Sequence, residues 1–117
     1  MGTNYYLVKN RPSVSYPIHI GKSSAGWLFN FESQNQPWLD PPVVWDSYEQ
    51  VLDALWNLTV DSNDFVIIDE YDEILTFADF IDIVQRKQND PHCQSNKDNF
   101  TYSRNVNGYR FTDGEFR

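Results

Sequence analysis

Four side chains of this 117-residue chain are of types that catalysis or ion binding uses: His19 and Lys22 around a glycine, and the neighbouring carboxylates Asp69 and Glu70. Gly21-Lys22-Ser23-Ser24 carries the lysine and hydroxyls that end a phosphate-binding loop, and Val66-Ile67-Ile68-Asp69-Glu70 has the form of the acidic strand of an ATPase. Phosphate binding needs more than these. The loop requires an earlier glycine, at the position held here by Tyr16, and it must open a helix whose N-terminus faces the phosphate. Here the aromatic run Trp27-Leu28-Phe29 follows instead. Asp69, Glu70, Asp72 and Glu73 offer the oxygen donors of a hard cation, but their spacing is not that of a calcium loop and no glycine supplies the sharp bend. Strand alternation also sends Asp69 and Glu70 to opposite faces. His92 and Cys93 are sequence neighbours, which is not the spatial arrangement that activates a thiolate. No serine lies in a nucleophile elbow. His19, central in a short strand, reads as a hydrogen-bonded structural residue. The chain is therefore read as a non-enzyme with no cofactor and no metal. The alternative is a metal- or nucleotide-dependent enzyme using His19, Lys22, Asp69 and Glu70.

The charge pattern points in a different direction. The net charge is −8, yet residues 40–85 hold twelve carboxylates and no Lys, Arg or His, while the flanking parts are each slightly basic. Such a field repels nucleic acid and favours basic protein surfaces. The apolar fraction of 40% and aromatic fraction of 16% are those of a globular chain, and the length fits one domain over residues 1–117. No apolar run is long enough to span a membrane, and the N-terminus has no signal-peptide pattern. A single cysteine suits a reducing compartment, so a soluble intracellular protein is expected.

The elements that must position these residues centre on Phe65-Val66-Ile67-Ile68-Asp69-Glu70-Tyr71, a β-branched run too short for a helix and suited to a buried strand. Before it, Ser47 caps a helix with Gln50 completing a capping-box pattern, and Tyr48, Val51, Leu52, Leu55 and Leu58 form one stripe. After it, Tyr71-Asp72-Glu73 reads as a tight reversal and Ile74-Leu75 as a returning strand. Thr76 then caps a second helix with Phe77, Phe80, Ile81 and Val84 on one face. Asn4–Val8, Pro17–Ile20 and Trp27–Phe31 read as an antiparallel meander, with Gly21–Gly26 a turn and Trp27, Phe29 and Phe31 on one face. Residues 33–45, rich in Pro and Trp, read as a stiff connection that cannot supply a central strand. Residues 89–99 read as a polar mobile loop. Asn107-Gly108 is a strong hairpin signal between Tyr102–Val106 and Tyr109–Thr112. The sum is an α+β fold: a small, mainly antiparallel sheet of about six or seven short strands with two amphipathic helices. Trp27, Leu55, Ile67, Phe80 and Ile81 are expected in its core.

Three stretches carry a resemblance. Met1-Gly2-Thr3-Asn4-Tyr5-Tyr6, His19-Ile20-Gly21-Lys22-Ser23-Ser24-Ala25-Gly26-Trp27 and Ile68-Asp69-Glu70-Tyr71, with the tail from Gly108 to Phe116, are similar to a family of small bacteriophage proteins of unassigned function. Many relatives carry cysteines that, with the histidine, would suit a structural zinc site. This chain has Lys9 to Pro12 and Leu28 at those places, so the zinc does not carry over. The resemblance implies a phage origin and a place in the host cytoplasm, and it implies no mechanism.

The expected function is that of a non-enzymatic phage accessory protein that binds a host protein and modulates or triggers a host defence system. A basic nucleic-acid-binding protein or an immune sensor would suit the charge, with no direct contact to nucleic acid or membrane. The expected contact residues are Asp69, Glu70, Tyr71, Asp72 and Glu73, joined by Trp38 and Trp45 from the Pro-rich connection.

Overall fold

The computed structural model describes residues 2–9, 17–24, 26–38, 42–91 and 103–112. In chain order these form β1 (Gly2–Lys9), β2 (Ile18–Ser24), β3 (Asn30–Glu32), β4 (Gln34–Gln36), β5 (Val43–Trp45) and α1 (Tyr48–Leu55), which runs on into a π-helical segment (Trp56–Asp61). There follow β6 (Phe65–Asp69), β7 (Ile74–Leu75), α2 (Phe77–Asn89), β8 (Ser103–Val106) and β9 (Tyr109–Thr112). The fold is α+β. Seven strands form one sheet in the order β7-β6-β1-β2-β3-β9-β8, and β4 and β5 pair separately. Every neighbouring pair in the large sheet is antiparallel except β3 with β9. Among the described residues no helix is long and apolar enough to cross a membrane.

Both helices cover one face of this sheet. Leu7, Ile20, Phe31, Ile67 and Phe111 meet Val51 and Leu55 of α1 and Phe80 and Val84 of α2, all of them buried. An aromatic series binds the layers. Phe29 lies edge-on to Phe80 at 5.4 Å and tilted against Phe31 at 4.7 Å, and Phe31 stacks on Phe111 at 5.0 Å. At its end Tyr48 stacks on Tyr109, and the Gln85 amide donates to both phenol oxygens at 2.9 Å. That amide ties α2 to α1 and to β9 through polar atoms that burial would otherwise leave unsatisfied.

Local chemistry sets the ends of these elements. Ser47 accepts from the Gln50 N–H, while the Gln50 side chain reaches the Asp46 N–H rather than that of Ser47. The full capping box belongs to α2, between Thr76 and Asp79. At the last hairpin Asn107 and Gly108 both take positive φ, 52° and 89°, the conformation that a two-residue primed turn requires.

Several expectations are corrected. Gly21 to Ser24 belong to β2, so the turn lies at Ser24–Trp27, where the Trp27 N–H donates to the Ser24 carbonyl. Trp27 therefore falls outside β3 and out of phase with Phe29 and Phe31, and it is 38% exposed. Ile81 is half-buried, whereas Leu55, Ile67 and Phe80 are fully buried. The connection over residues 33–45 contains the separate β4–β5 hairpin, while the large sheet has, among the described residues, the expected seven strands. Most of the expected loop over residues 89–99, with His92 and Cys93, lies outside the described residues.

Candidate functional site

The second face of the sheet carries a polar cluster, and a bulge helps to assemble it. Tyr5 pairs with Gly21 but Tyr6 with His19, so β2 carries one extra residue, Ile20. His19 and Lys22 are three apart and would otherwise project to opposite faces. The bulge turns both to the face shared by Gly2, Asn4 and Tyr6. A Cβ on Gly2 would lie 2.6 Å from Lys22 Cε, which shows that the lysine crosses directly over this glycine. On the helix side, a Cβ on Gly21 would lie 2.4 Å from the Phe29 ring and from the Asn30 carbonyl. Glycine at 21 thus serves packing, not phosphate.

On this polar face His19 is 2% exposed and its ring is held at both nitrogens. Nδ1 lies 2.7 Å from Glu32 Oε1 and Nε2 lies 2.9 Å from Asn4 Oδ1. The Asn4 orientation follows from its other end, since Nδ2 and the Asn4 backbone N–H both donate to Glu70 Oε1. Turning the amide over would set its oxygen against that carboxylate. Both ring nitrogens therefore face acceptor oxygens. The second Glu32 oxygen accepts from the Gln34 amide, which also donates to the His19 carbonyl where β3 departs from β2. Gln36 donates to Gln34 Oε1, and the Trp45 indole donates to the Glu32 carbonyl. Tyr6 lies against the imidazole at 5.3 Å.

Of the four residues in the enzyme alternative, His19, Glu70 and Lys22 gather around Asn4: the first two bond to it and Lys22 pairs opposite it across the strands. Asp69 does not join them, because its Oδ1 is committed to the turn beyond β6. The cluster is closed to solvent at His19, and no group of three or more His, Cys, Asp or Glu side chains among the described residues could hold a metal. It connects β1, β2, β3 and β4 through side chains.

The turn between β6 and β7 is built differently. Asp69 Oδ1 accepts from the backbone N–H groups of Tyr71 and Glu73 at 2.8 and 3.0 Å. The Asp72 N–H closes onto the Asp69 carbonyl, with Asp72 itself at φ 64°. Two of the expected contact residues thus have internal tasks, Asp69 in shaping the turn and Glu70 in holding Asn4. What the turn presents outward is Tyr71, Asp72 and Glu73, followed by Ile74 on the edge strand; Tyr71 is 67% and Ile74 71% exposed.

The two tryptophans separate. Trp38 is 75% exposed at the end of the β4–β5 hairpin, but β3, from which that hairpin leads, stands three places from β6 in the sheet. Trp45 is fully buried with its indole N–H spent on Glu32, so the expectation that it meets a partner is corrected. Residues that the sequence did not single out include Asn4, Glu32 and Gln34, which meet only through the bulge and the departure of β3. Ile74 was legible as a strand residue but not as an exposed one. Comparison with protein-family models, with curated proteins and with solved structures gives no match for this chain.

Proposed function

We propose that this protein acts by binding another protein, through the turn that joins β6 to β7. The observation that carries this reading is the pairing of exposure with rigidity. Tyr71 and Ile74 are large, apolar and mostly uncovered, yet they sit on a backbone that Asp69 holds with two hydrogen bonds. A contact surface already in its bound shape loses less conformational entropy on association. A tyrosine with an aliphatic neighbour is the kind of anchor on which interface affinity concentrates. Asp72 and Glu73 flank the anchor with negative charge in a segment free of cations, so they steer a basic partner and fix its orientation.

The sequence resemblance to small phage proteins supports a host protein as the partner, met in the host cytoplasm, with the outcome that a host defence system is modulated or triggered. A basic nucleic-acid-binding protein or an immune sensor of basic surface fits the charge. The test is capture from host bacterial cells with wild-type protein, with Tyr71→Ala, with Ile74→Asp, and with Asp72→Lys combined with Glu73→Lys. A partner retained by wild type should dissociate faster from the first two variants. It should associate more slowly with the third, with a flatter salt dependence. A partner held equally by all four proteins sinks the proposal. Trp38→Ala, run alongside, reports whether the distant tryptophan shares the contact.

A further inference from the structure

A second surface has features that the turn at Tyr71 does not use. β5 on one side and the stripe of α1 that continues into the π-helical segment on the other enclose a groove of about 490 Å3, in the size range of ligand sites. Pro42 and Val44 line it from the strand side, Ala54 and Leu58 from the helical side, and Asp53 and Asn57 add polar groups. Val44, on its strand side, is about half exposed.

The backbone of this wall is itself unusual. The Ser62 N–H reaches back five residues to the Asn57 carbonyl, and the Thr59 and Ser62 hydroxyls donate to the carbonyls of Leu55 and Leu58. The hydroxyls thus satisfy carbonyls that α-helical N–H groups would otherwise take. Such π-turns are less favourable than α-helix and recur where a helix has been reshaped for function. Charge narrows the occupant. Asp53 lies in the groove, Glu49 precedes it by one turn on the same stripe, and no Lys, Arg or His occurs anywhere in residues 40–85.

We propose that this groove docks an extended basic segment of a partner protein, an apolar side chain entering between Val44 and Leu58 while a flanking Lys or Arg pairs with Asp53. The apolar insertion supplies the affinity, and the carboxylates select the sign of the segment and speed its arrival. The groove shares no residue with the turn at Tyr71, so the two proposals stand or fall separately.

The experiment is a titration of isotope-labelled protein, followed by two-dimensional NMR, with a capped hexapeptide alternating Leu and Lys and with a control alternating Leu and Glu. The basic peptide should shift the amides of Val44, Asp53, Ala54 and Asn57, with saturation. Asp53→Lys and Val44→Asp should each weaken it by at least about tenfold, and Tyr71→Ala should leave it unchanged. Val44 and Asp53 are exposed, and unaltered spectra elsewhere in each variant confirm folding. Equal binding of the acidic peptide overturns the proposal. So do shifts spread over the whole acidic surface and indifferent to Val44→Asp, or an absence of saturable binding at millimolar peptide. Groove signals that move with protein concentration alone assign it to a second copy of this chain and also overturn the proposal.

Discussion

Glu32 and the Asp72–Glu73 pair are carboxylates of one chain put to opposite uses. Glu32 is buried, and its side-chain oxygens are taken up by His19 and by Gln34. Asp72 and Glu73 stand in solvent, beside two largely exposed apolar side chains. What separates them is where the lone pairs go. A buried carboxylate must be matched by donors from its own fold, and once matched it has nothing left for a ligand. An exposed one is matched by water and stays within reach of a partner's cation. The dense acidic character of residues 40–85 is therefore not one property of the molecule. Glu32, the acid most firmly built into the structure, lies outside that segment altogether.

The sharpest way to break the comparison is at Glu32. Glu32→Leu takes the Glu32 acceptor away from His19 Nδ1 and from the Gln34 amide in a site where the Glu32 and His19 side chains are 10% and 1% exposed, and should cost about 1–3 kcal/mol. His19→Leu combined with Glu32→Leu should cost less than the sum of the two single changes, because neither member of the hydrogen-bonded pair is then left buried without the other. Denaturant unfolding of the three variants measures the coupling. If the costs simply add, the contact between His19 and Glu32 contributes nothing to stability.

A smaller effect is expected at Asp69, which belongs to the acidic turn yet behaves like Glu32. Asp69→Ala removes acceptors from two backbone N–H groups and should cost about 1–2 kcal/mol, whereas charge reversal of its neighbours Asp72 and Glu73 should stay within about 0.5 kcal/mol. Asp69→Ala should also weaken partner binding by loosening the turn without removing a contact. Stability equal to wild type would mean that the turn holds its shape without Asp69 and would remove the rigidity argument.

The smallest expected effect is at alkaline pH. Burial, with Asp69 and Glu70 adding their charge, raises the Tyr5 phenol above its ordinary value of 10.0. Burial likewise raises Tyr48, against the opposing hydrogen bond from Gln85. A group with a raised folded value keeps its proton in the native state where the unfolded chain has lost it. Its stabilisation is complete below about pH 10 and fades as pH climbs through the folded value. Urea midpoints should fall above about pH 10, and less steeply in Tyr5→Phe. An identical decline in that variant would assign the effect to other tyrosines.

How far the sequence alone reaches can be judged at particular residues. The β6 strand, the Thr76 cap, the stripe of α2 and the Asn107-Gly108 hairpin are all present where local chemistry put them, since each depends on residues within a few positions of one another. The α+β class follows from those elements, and so does the acidic turn after β6. Local pattern failed at Trp27, where a turn displaced by three residues moved the ring out of the strand's phase and left it partly exposed. It failed again at Trp45, whose burial depends on an acceptor thirteen residues away on another strand.

The site chemistry divides in the same way. Sequence alone determined the charge map, because charge is a property of composition. It also supplied the argument against a phosphate loop, because such a loop is a local backbone motif. Tertiary structure alone decided that His19 meets Asn4 and Glu32, since one extra residue in β2 reverses the facing of everything beyond it. The groove beside Val44 exists only because β5 comes to lie against α1. No short-range rule encodes either arrangement, as both depend on pairing partners that the chain brings together only on folding.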